Sequence, residues 1–389
     1  MSLRKIAGEM EKYMVKIGIV GARGFSTVMG LKARDDVQIT GLCDLDAGTL
    51  ERGKKELGLT DKQVFRVFED MLESDIDAVI IATPMQCHVP QAIAALRAGK
   101  HVMSEVTAGV TMDELWWLIE NVEKSGKIYM YAENYCYMPD IQLVRNLKRK
   151  GFFGDIYYGE GEYTHDCKDL RQYGNGKVSW RHYWQFGKRG SFYPTHSLGP
   201  VMLWFDDDRV KSIASFGPGC HNGVGLRQDD LSQTLCQLES GKLVKIRVDC
   251  MSNRPHCMTY YQLQGTKGAY EAPRGLGDVA KIAVATDDNP TGYTEWRPLS
   301  DFNEYLPERY KVASESEKGA GHGGGDFFIV EDFINAINTN TQPELDVYKA
   351  CEWTAVGLLS ELSITNNGRV MEMPNFRKNM PYAEQIIKL

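Results

Sequence analysis

The 389-residue sequence lacks any long apolar stretch. Its longest apolar run, around residues 78–82, has the length of a β-strand, whereas a membrane-spanning helix needs about 20 apolar residues. We therefore expect no membrane partner. The start of the chain also lacks the continuous apolar segment of a secretory signal, so residues 1–14 are expected to be an N-terminal extension, with Met14 as an alternative start.

An excess of positive charge is absent as well. The chain has 45 Lys and Arg against 52 Asp and Glu, a formal net charge of −7. Binding to a phosphate backbone requires a net basic surface, so nucleic acid is excluded as a partner. With 43% hydrophobic and 25% charged residues, the composition is typical of a globular protein and excludes disorder as the main state.

No Cys-x-x-Cys pair occurs among the nine cysteines, which are also too sparse for a disulfide scaffold. The short combinations His165-x-Cys167 and Cys220-His221 each lack a second pair at the spacing of metal ligands. We therefore predict no metal site. Reduced thiols and a cytoplasmic location are expected.

The first third of the chain alternates short β-branched runs with segments of helical periodicity. This alternation predicts βαβ units, and hence a Rossmann-type, doubly wound parallel sheet in an α/β domain at residues 15–137. The predicted strands cover residues 15–20, 38–43, 78–83, 101–104 and 128–133, and the predicted helices cover 47–57, 90–98 and 112–125.

Beyond residue 138 the strand patterns follow one another directly. They predict a largely antiparallel sheet in an α+β domain at residues 138–389, which we expect to bind the substrate. The predicted strands cover residues 155–166, 210–216, 232–239, 242–251 and 258–264, and two late helices are predicted at 326–338 and 346–366.

A glycine-containing turn follows the first strand. Gly21 and Gly24 would let the backbone approach a pyrophosphate, with Phe25 next to them and Arg23 able to reach a phosphate. The usual G-x-G-x-x-G pattern would need glycine at positions 23 and 26, so an ordinary β-to-α turn is the alternative interpretation.

An acidic residue, Asp44, ends the second strand about 20 residues further on, where a carboxylate can accept hydrogen bonds from both hydroxyls of an adenosine ribose. No basic residue follows Asp44 before Arg52, so a 2′-phosphate would meet an acid without a compensating base. The sequence therefore predicts NAD rather than NADP.

Two further strands end in polar residues. Thr83, Pro84 and His88 follow one strand, and Glu105 follows the next. The carboxyl ends of parallel strands form the edge where open α/β sheets bind ligands, so we expect these four residues to contribute to the cofactor site.

These motifs resemble the Gfo/Idh/MocA family of NAD(P)-dependent sugar oxidoreductases over essentially the whole chain from Val15. The resemblance rests on A-T-P-x-x-x-H at residues 82–88, on Glu105 after an H-V-x-x-E strand, and on the antiparallel second domain. It implies hydride transfer between a sugar hydroxyl carbon and nicotinamide. The Lys and Pro of the family's E-K-P motif are Val106 and Thr107 here, so the lysine that assists proton movement is missing.

The second domain departs from the family in a second place. The family's aspartate, four residues before a histidine, is Phe192 here, while His196 is retained and Tyr193 precedes it. Segments 132–139, 161–166, 318–327 and 345–353 are similar to the NAD-dependent glycosidase branch typified by α-N-acetylgalactosaminidases. That similarity implies that the catalytic residues are His196, Tyr193 and Tyr163. It also implies that Glu133 and His322 bind the sugar.

Three functions are compatible with these observations. The first is net oxidation of a sugar. The second is redox-neutral cleavage of a glycoside by oxidation, elimination, hydration and reduction. The third is a non-catalytic NAD sensor, since both family residues are missing. Half-buried Tyr and His side chains commonly only pack, and Tyr163 and His165 share a strand face, so only one of them is expected to reach substrate. A homo-oligomer formed through an exposed sheet face is also predicted.

Overall fold

The computed structural model describes residues 14–223 and 225–377, apart from the side chains of Ala22 and Arg23. The predicted N-terminal extension therefore lies outside the described residues, except for Met14.

The N-terminal half is built on a six-stranded parallel sheet, sheet A, with the order β3-β2-β1-β4-β5-β6. This order is that of a doubly wound fold, and it confirms the predicted fold class. All five predicted strands are present, and the added strand, β3, has only two residues. The strands are β1 Val15–Val20, β2 Val37–Cys43, β3 Val64–Phe65, β4 Ala78–Ile81, β5 His101–Ser104 and β6 Tyr129–Tyr131.

Helices connect these strands and cover both faces of sheet A. The longest is capped at its start by Thr111, whose side chain accepts a hydrogen bond from the Glu114 N–H in a capping box, and at its end by Gly126 with φ 62°. The helices are α1 Val28–Lys32, α2 Ala47–Leu57, α3 Phe68–Leu72, α4 His88–Arg97 and α5 Met112–Ser125.

The C-terminal half contains a nine-stranded sheet, sheet B, with the order β14-β13-β12-β11-β7-β10-β9-β8-β15. Its neighbouring strands are antiparallel except for the central pair, β7 and β10, which are parallel. The prediction of a largely antiparallel sheet is confirmed. The strands are β7 Ile156–Thr164, β8 Val210–Phe216, β9 Leu231–Leu238, β10 Leu243–Asp249, β11 Cys257–Gly265, β12 Gly268–Glu271, β13 Lys281–Val284, β14 Arg297–Pro298 and β15 Met371–Glu372.

Seven helices accompany sheet B in the described part of the chain. The two late helices lie within one residue of their predicted bounds, whereas the helix that carries His196 was not predicted. The helices are α6 Pro139–Arg149, α7 Arg181–Trp184, α8 Thr195–Trp204, α9 Glu308–Val312, α10 Glu315–Lys318, α11 Gly325–Thr339 and α12 Val347–Thr365.

The late helices return to the N-terminal half. Val330 of α11 packs closely on Gly30 of α1. A Cβ added to Gly30 would lie 3.0 Å from the Cβ of Val330. Before α12, the Leu345 carbonyl accepts a hydrogen bond of 2.9 Å from the Tyr131 N–H of β6. The two halves therefore share packing, and the predicted boundary between residues 137 and 138 stays a prediction.

Candidate active site

The turn after β1 brings two backbones into close contact. Gly21 has φ 90°, and a Cβ there would lie 2.5 Å from the Ala82 carbonyl oxygen. A side chain is therefore excluded at Gly21, and the turn leaves bare backbone at the edge of sheet A. A Cβ on Gly24 would collide with Ile19, and the ring of Phe25 packs against Gly53 of α2. The side chain of Arg23 lies outside the described part of the structure.

Asp44 lies at the end of β2, where its half-buried carboxylate accepts a 2.9 Å hydrogen bond from the Asp46 N–H. Nearby, the Arg66 guanidinium donates to the Leu45 carbonyl at 3.0 Å. Sequence reasoning missed Arg66 because it follows β3, a two-residue strand without a clear pattern. A basic group is thus present beside the predicted ribose site, contrary to the expectation that none is near.

His88 connects the two loops that follow β4 and β5. Its imidazole is 1% exposed, with Nδ1 2.7 Å from the Thr107 carbonyl and Nε2 2.8 Å from the Thr83 carbonyl. Burial lowers the pKa of His88. This placement suits a residue that holds the cofactor loops in position, and its predicted part in cofactor binding stays a prediction.

The other residues at this edge lie in the same two loops. The Thr83 hydroxyl donates to Gln91 at 2.6 Å, and Pro84 begins the turn that leads into α4. The Glu105 N–H donates to the Ile81 carbonyl at 2.9 Å, which extends the pairing of β4 and β5. Val106 is buried, at 6% exposure, so an apolar side chain occupies the position of the family lysine.

A histidine–carboxylate pair lies beyond the end of β6. The Nδ1 atom of His196 is 2.7 Å from Oε1 of Glu133, whose side chain is fully buried. A carboxylate can only accept hydrogen bonds, so Nδ1 carries a hydrogen, and in the neutral imidazole Nε2 then keeps its lone pair. The second carboxylate oxygen of Glu133 has no hydrogen-bond partner among the described residues. The pair is therefore set up to take a proton at Nε2.

Three tyrosine rings surround His196. Tyr135 stacks on the imidazole, with ring centroids 4.0 Å apart and an interplanar angle of 9°. The ring centroids of Tyr163 and Tyr193 lie 5.1 and 5.0 Å from that of His196. Sequence reasoning missed Tyr135, which lies in a 3-10 helix. Its position two residues after Glu133 was a usable signal.

Close backbone packing fixes the position of α8, which carries His196. A Cβ on Gly161 of β7 would lie 1.9 Å from the Ser197 carbonyl oxygen, so only glycine fits there. The buried Tyr261 hydroxyl donates to the His196 carbonyl at 2.6 Å. A Cβ on Gly199 would lie 3.0 Å from Cγ of Glu133. The histidine and its carboxylate therefore have little freedom to separate.

His322 also contacts Tyr135, with ring centroids 5.4 Å apart. It has φ 57°, and its Nδ1 is 3.0 Å from both carboxylate oxygens of Asp326. Asn134 donates to the same carboxylate at 2.6 Å. The structure thus brings all the predicted catalytic and sugar-binding residues into one cluster: Glu133, Tyr163, Tyr193, His196 and His322.

Comparison with known families matches both halves of the chain. Residues 15–133 match the oxidoreductase family with an NAD-binding Rossmann fold. Residues 137–228 and 219–382 match the C-terminal domain of glycosyl hydrolase 109. The chain belongs to glycosyl hydrolase family 109. The predicted resemblance, the NAD cofactor and the assignment as an enzyme with NAD-dependent chemistry are thereby confirmed.

Relatives of this family 109 chain align over nearly its whole length. The α-N-acetylgalactosaminidase of Shewanella oneidensis is 28% identical over 408 residues, which cover 96% of this chain and 87% of the relative. A glycosyl hydrolase family 109 protein of Saccharopolyspora erythraea is 30% identical over 397 residues, covering 94% and 83%.

Solved structures share the fold of the family 109 chain at lower identity. An oxidoreductase domain protein from Kribbella flavida superposes with a TM-score of 0.75 at 20% identity, covering 93% of this chain and all of the other. A levoglucosan dehydrogenase in complex with NADH and L-sorbose gives 0.74 at 17% identity, with coverage of 93% and 100%. These similarities establish the two-sheet architecture.

Two kinds of feature are absent from residues 14–223 and 225–377 of the family 109 chain. No cluster of three or more His, Cys, Asp or Glu side chains could hold a metal ion there. None of the helices in this part of the chain is long and apolar enough to cross a membrane.

Proposed function

We propose that this family 109 enzyme cleaves α-glycosides of N-acetylgalactosamine or a closely similar sugar, through transient oxidation of the sugar by bound NAD. The observation that carries the proposal is the buried Glu133–His196 pair among three tyrosines, in a chain whose family lysine position holds the apolar Val106. The name of the Shewanella relative supports the choice of sugar.

The residues at the edge of sheet A fit NAD. Gly21 leaves backbone where a Cβ would collide with Ala82, which is the kind of cradle that a pyrophosphate requires. We propose that Gly21, Gly24 and Asp44 bind the dinucleotide. The other predicted cofactor contacts are Arg23, Phe25, Thr83, Pro84, His88 and Glu105. When bound, NAD accepts a hydride from a sugar carbon and can return it.

His196 moves the first proton. Its Nε2 takes the proton of the sugar hydroxyl whose carbon is oxidised, C3 in our proposal, and Glu133 stabilises the resulting imidazolium through Nδ1. The same imidazolium returns the proton in the final reduction. A buried carboxylate held at 2.7 Å keeps the imidazole in the tautomer that this exchange requires.

The tyrosines act in the elimination and hydration steps. A C3 ketone acidifies the hydrogen on C2, and we assign removal of that proton to Tyr193 in its phenolate form, whose ring lies 5.0 Å from that of His196. The electron pair of the C–H bond forms a C1–C2 double bond while the C1–oxygen bond breaks. Tyr163 is the phenol that we assign to the leaving oxygen, and His322 borders the sugar. Glu133, which was predicted to bind the sugar, is fully buried and acts on it through His196.

The test is cleavage of 4-nitrophenyl α-N-acetylgalactosaminide in D2O, with NMR of the released sugar. We expect deuterium at C2 and no accumulation of NADH, whereas direct displacement by paired carboxylates leaves every C–H bond intact. Steady NADH with an oxidised sugar and no free nitrophenol would instead establish a net dehydrogenase. NAD binding without turnover of any glycoside or free sugar would establish a sensor.

We also propose that the chain forms a homo-oligomer through the outer face of sheet B. Phe216, Leu235 and Leu243 are 63%, 50% and 42% exposed, and strand register places them on the same face. Sedimentation of the Leu235→Arg variant should show smaller particles than the unmodified chain. Leu276→Arg, at an exposed site in a loop, is the control. The cytoplasmic location stays a prediction.

A further inference from the structure

A second histidine contacts one of the active-site tyrosines. The hydroxyl of Tyr163 is 2.7 Å from Nδ1 of His165. Both side chains leave the same face at the end of β7, and the His165 N–H continues the parallel pairing with β10 by donating to the Asp249 carbonyl at 2.8 Å. The contact is therefore held by sheet B rather than by a mobile loop.

This pair connects the buried cluster with the surface. Tyr163 is 7% exposed and lies against His196 and Tyr193. His165 is half-buried, and its ring meets that of His256, an exposed residue, at 4.6 Å. A proton can thus pass from solvent to His165 and on to the phenol of Tyr163 without crossing the sugar site.

The groups around the pair favour a protonated His165 and a protonated Tyr163. A hydrogen bond with Cys167 raises the pKa of His165, and Asp166 acts in the same direction, against burial and the positive charge of Arg181. Burial also raises the pKa of Tyr163 well above its usual value. A phenolate at Tyr163 is therefore costly, and loss of its proton requires a donor that replaces the proton at once.

We propose that His165 is a positioning residue that makes Tyr163 the general acid of glycoside cleavage. As the C1–oxygen bond breaks, the departing oxygen takes its electron pair and the phenolic proton of Tyr163. The phenolic oxygen receives a proton from Nδ1 of His165, and solvent then recharges His165. Before hydration His165 returns one proton to solvent. The water that adds to C1 then gives its proton to Tyr163, whose phenolic proton passes to Nδ1 of His165, so the pair ends as it began. This inference rests on the proposed glycosidase activity.

The experiment compares two leaving groups in the His165→Ala variant. Methyl α-N-acetylgalactosaminide releases a poor leaving group that needs an acid, whereas the 4-nitrophenyl glycoside releases a stable anion that does not. We expect turnover of the methyl glycoside to fall by about 10²-fold or more, with little change for the nitrophenyl glycoside. Added imidazole should restore part of the lost rate, and His221→Ala should behave like the unmodified enzyme.

Three results would overturn this inference. One is an equal loss on both glycosides, which would indicate a structural role. Another is full activity of His165→Asn, since an amide can hold the phenol but cannot exchange a proton. The third is independent of activity: the NMR titration of the His165 ring should shift in the Tyr163→Phe variant, and an unchanged titration would exclude the contact. Failure of the unmodified enzyme to cleave either glycoside would refute the glycosidase function itself.

Discussion

His196 and Glu133 lie 63 positions apart in the chain, yet their side chains meet at 2.7 Å, with Glu133 fully buried and 9% of the His196 side chain exposed. One belongs to α8 beneath sheet B and the other to the end of β6 in sheet A. The contact therefore joins the two halves of the molecule at the point where, in our proposal, a hydride leaves the carbon and a proton leaves the oxygen of the same hydroxyl group.

Replacement of His196 by Ala should lower turnover by about 10²–10⁴-fold, as expected for loss of a general acid–base group. NAD affinity should stay nearly unchanged because the residue lies outside the cofactor edge. Steady-state kinetics and a fluorescence titration with NAD measure the two effects. Glu133→Gln, which keeps the shape of the side chain, should also lower turnover. If His196→Ala turned over as fast as the unmodified enzyme, the role of proton acceptor would have to be assigned to one of the tyrosines.

We expect cofactor selectivity to depend on Asp44 and Arg66. NAD should bind more tightly than NADP to the unmodified enzyme, because the Asp44 carboxylate repels a 2′-phosphate. Asp44→Ala should narrow this preference, since it removes the repulsion and leaves the Arg66 guanidinium nearby. Adding Arg66→Ala to the Asp44→Ala variant should weaken NADP binding again. Calorimetric titrations measure each affinity, and equal dissociation constants in the unmodified enzyme would contradict this account.

A methyl group at Gly161 should both destabilise the fold and lower activity. Its Cβ would lie 1.9 Å from the Ser197 carbonyl, so α8 must move away from β7, at a cost of about 1–3 kcal/mol. His196 moves with α8, so turnover should fall as well. Gly174→Ala is the matched control, because no atom lies within 4 Å of its Cβ. Urea unfolding of both variants gives the comparison, and equal stabilities would be inconsistent with this packing.

The stability of the protein should decrease in mild acid because of His101. Burial, and then the charge of Lys127, lower the pKa of this histidine to about 4, and its Nδ1 accepts a 3.0 Å hydrogen bond from the Ile128 N–H. Between pH 6.5 and 4 the unfolded chain binds the proton and the folded chain does not, so the free energy of unfolding falls as pH falls.

The His101→Asn variant isolates this effect. Between pH 7.5 and 4.5 the free energy of unfolding should fall by about 1–2 kcal/mol more in the unmodified protein than in the variant. This range allows for solvent screening at a half-buried ring. Urea unfolding at both pH values provides the measurement. Parallel losses in the two proteins would assign the acid sensitivity to other groups.

Local patterns predicted much of this molecule, and contacts distant in sequence account for the rest. The strands of sheet A follow from continuous apolar runs, and α5 follows from its caps. Helix α8 escaped prediction because Pro194 and Pro200 flank or interrupt it, and its burial on all sides removes the helical periodicity of polar residues. The family motifs identified His196 and Glu133, but their direct contact depends on how the two sheets pack. Arg66 was missed because it follows β3, a two-residue strand without a clear pattern.

The hydrogen bond from Tyr131 to Leu345 has a consequence for synthesis of the chain. Strand β6 forms the outer edge of sheet A, and its hydrogen-bond acceptor, the Leu345 carbonyl, is synthesised more than 200 residues later. Helix α12, which packs against β6, is synthesised later still. During translation the dinucleotide half must therefore wait with an incomplete edge while sheet B is made. A nascent chain stopped before Leu345 should be a substrate for chaperones, and full nucleotide affinity should arise only near the end of translation.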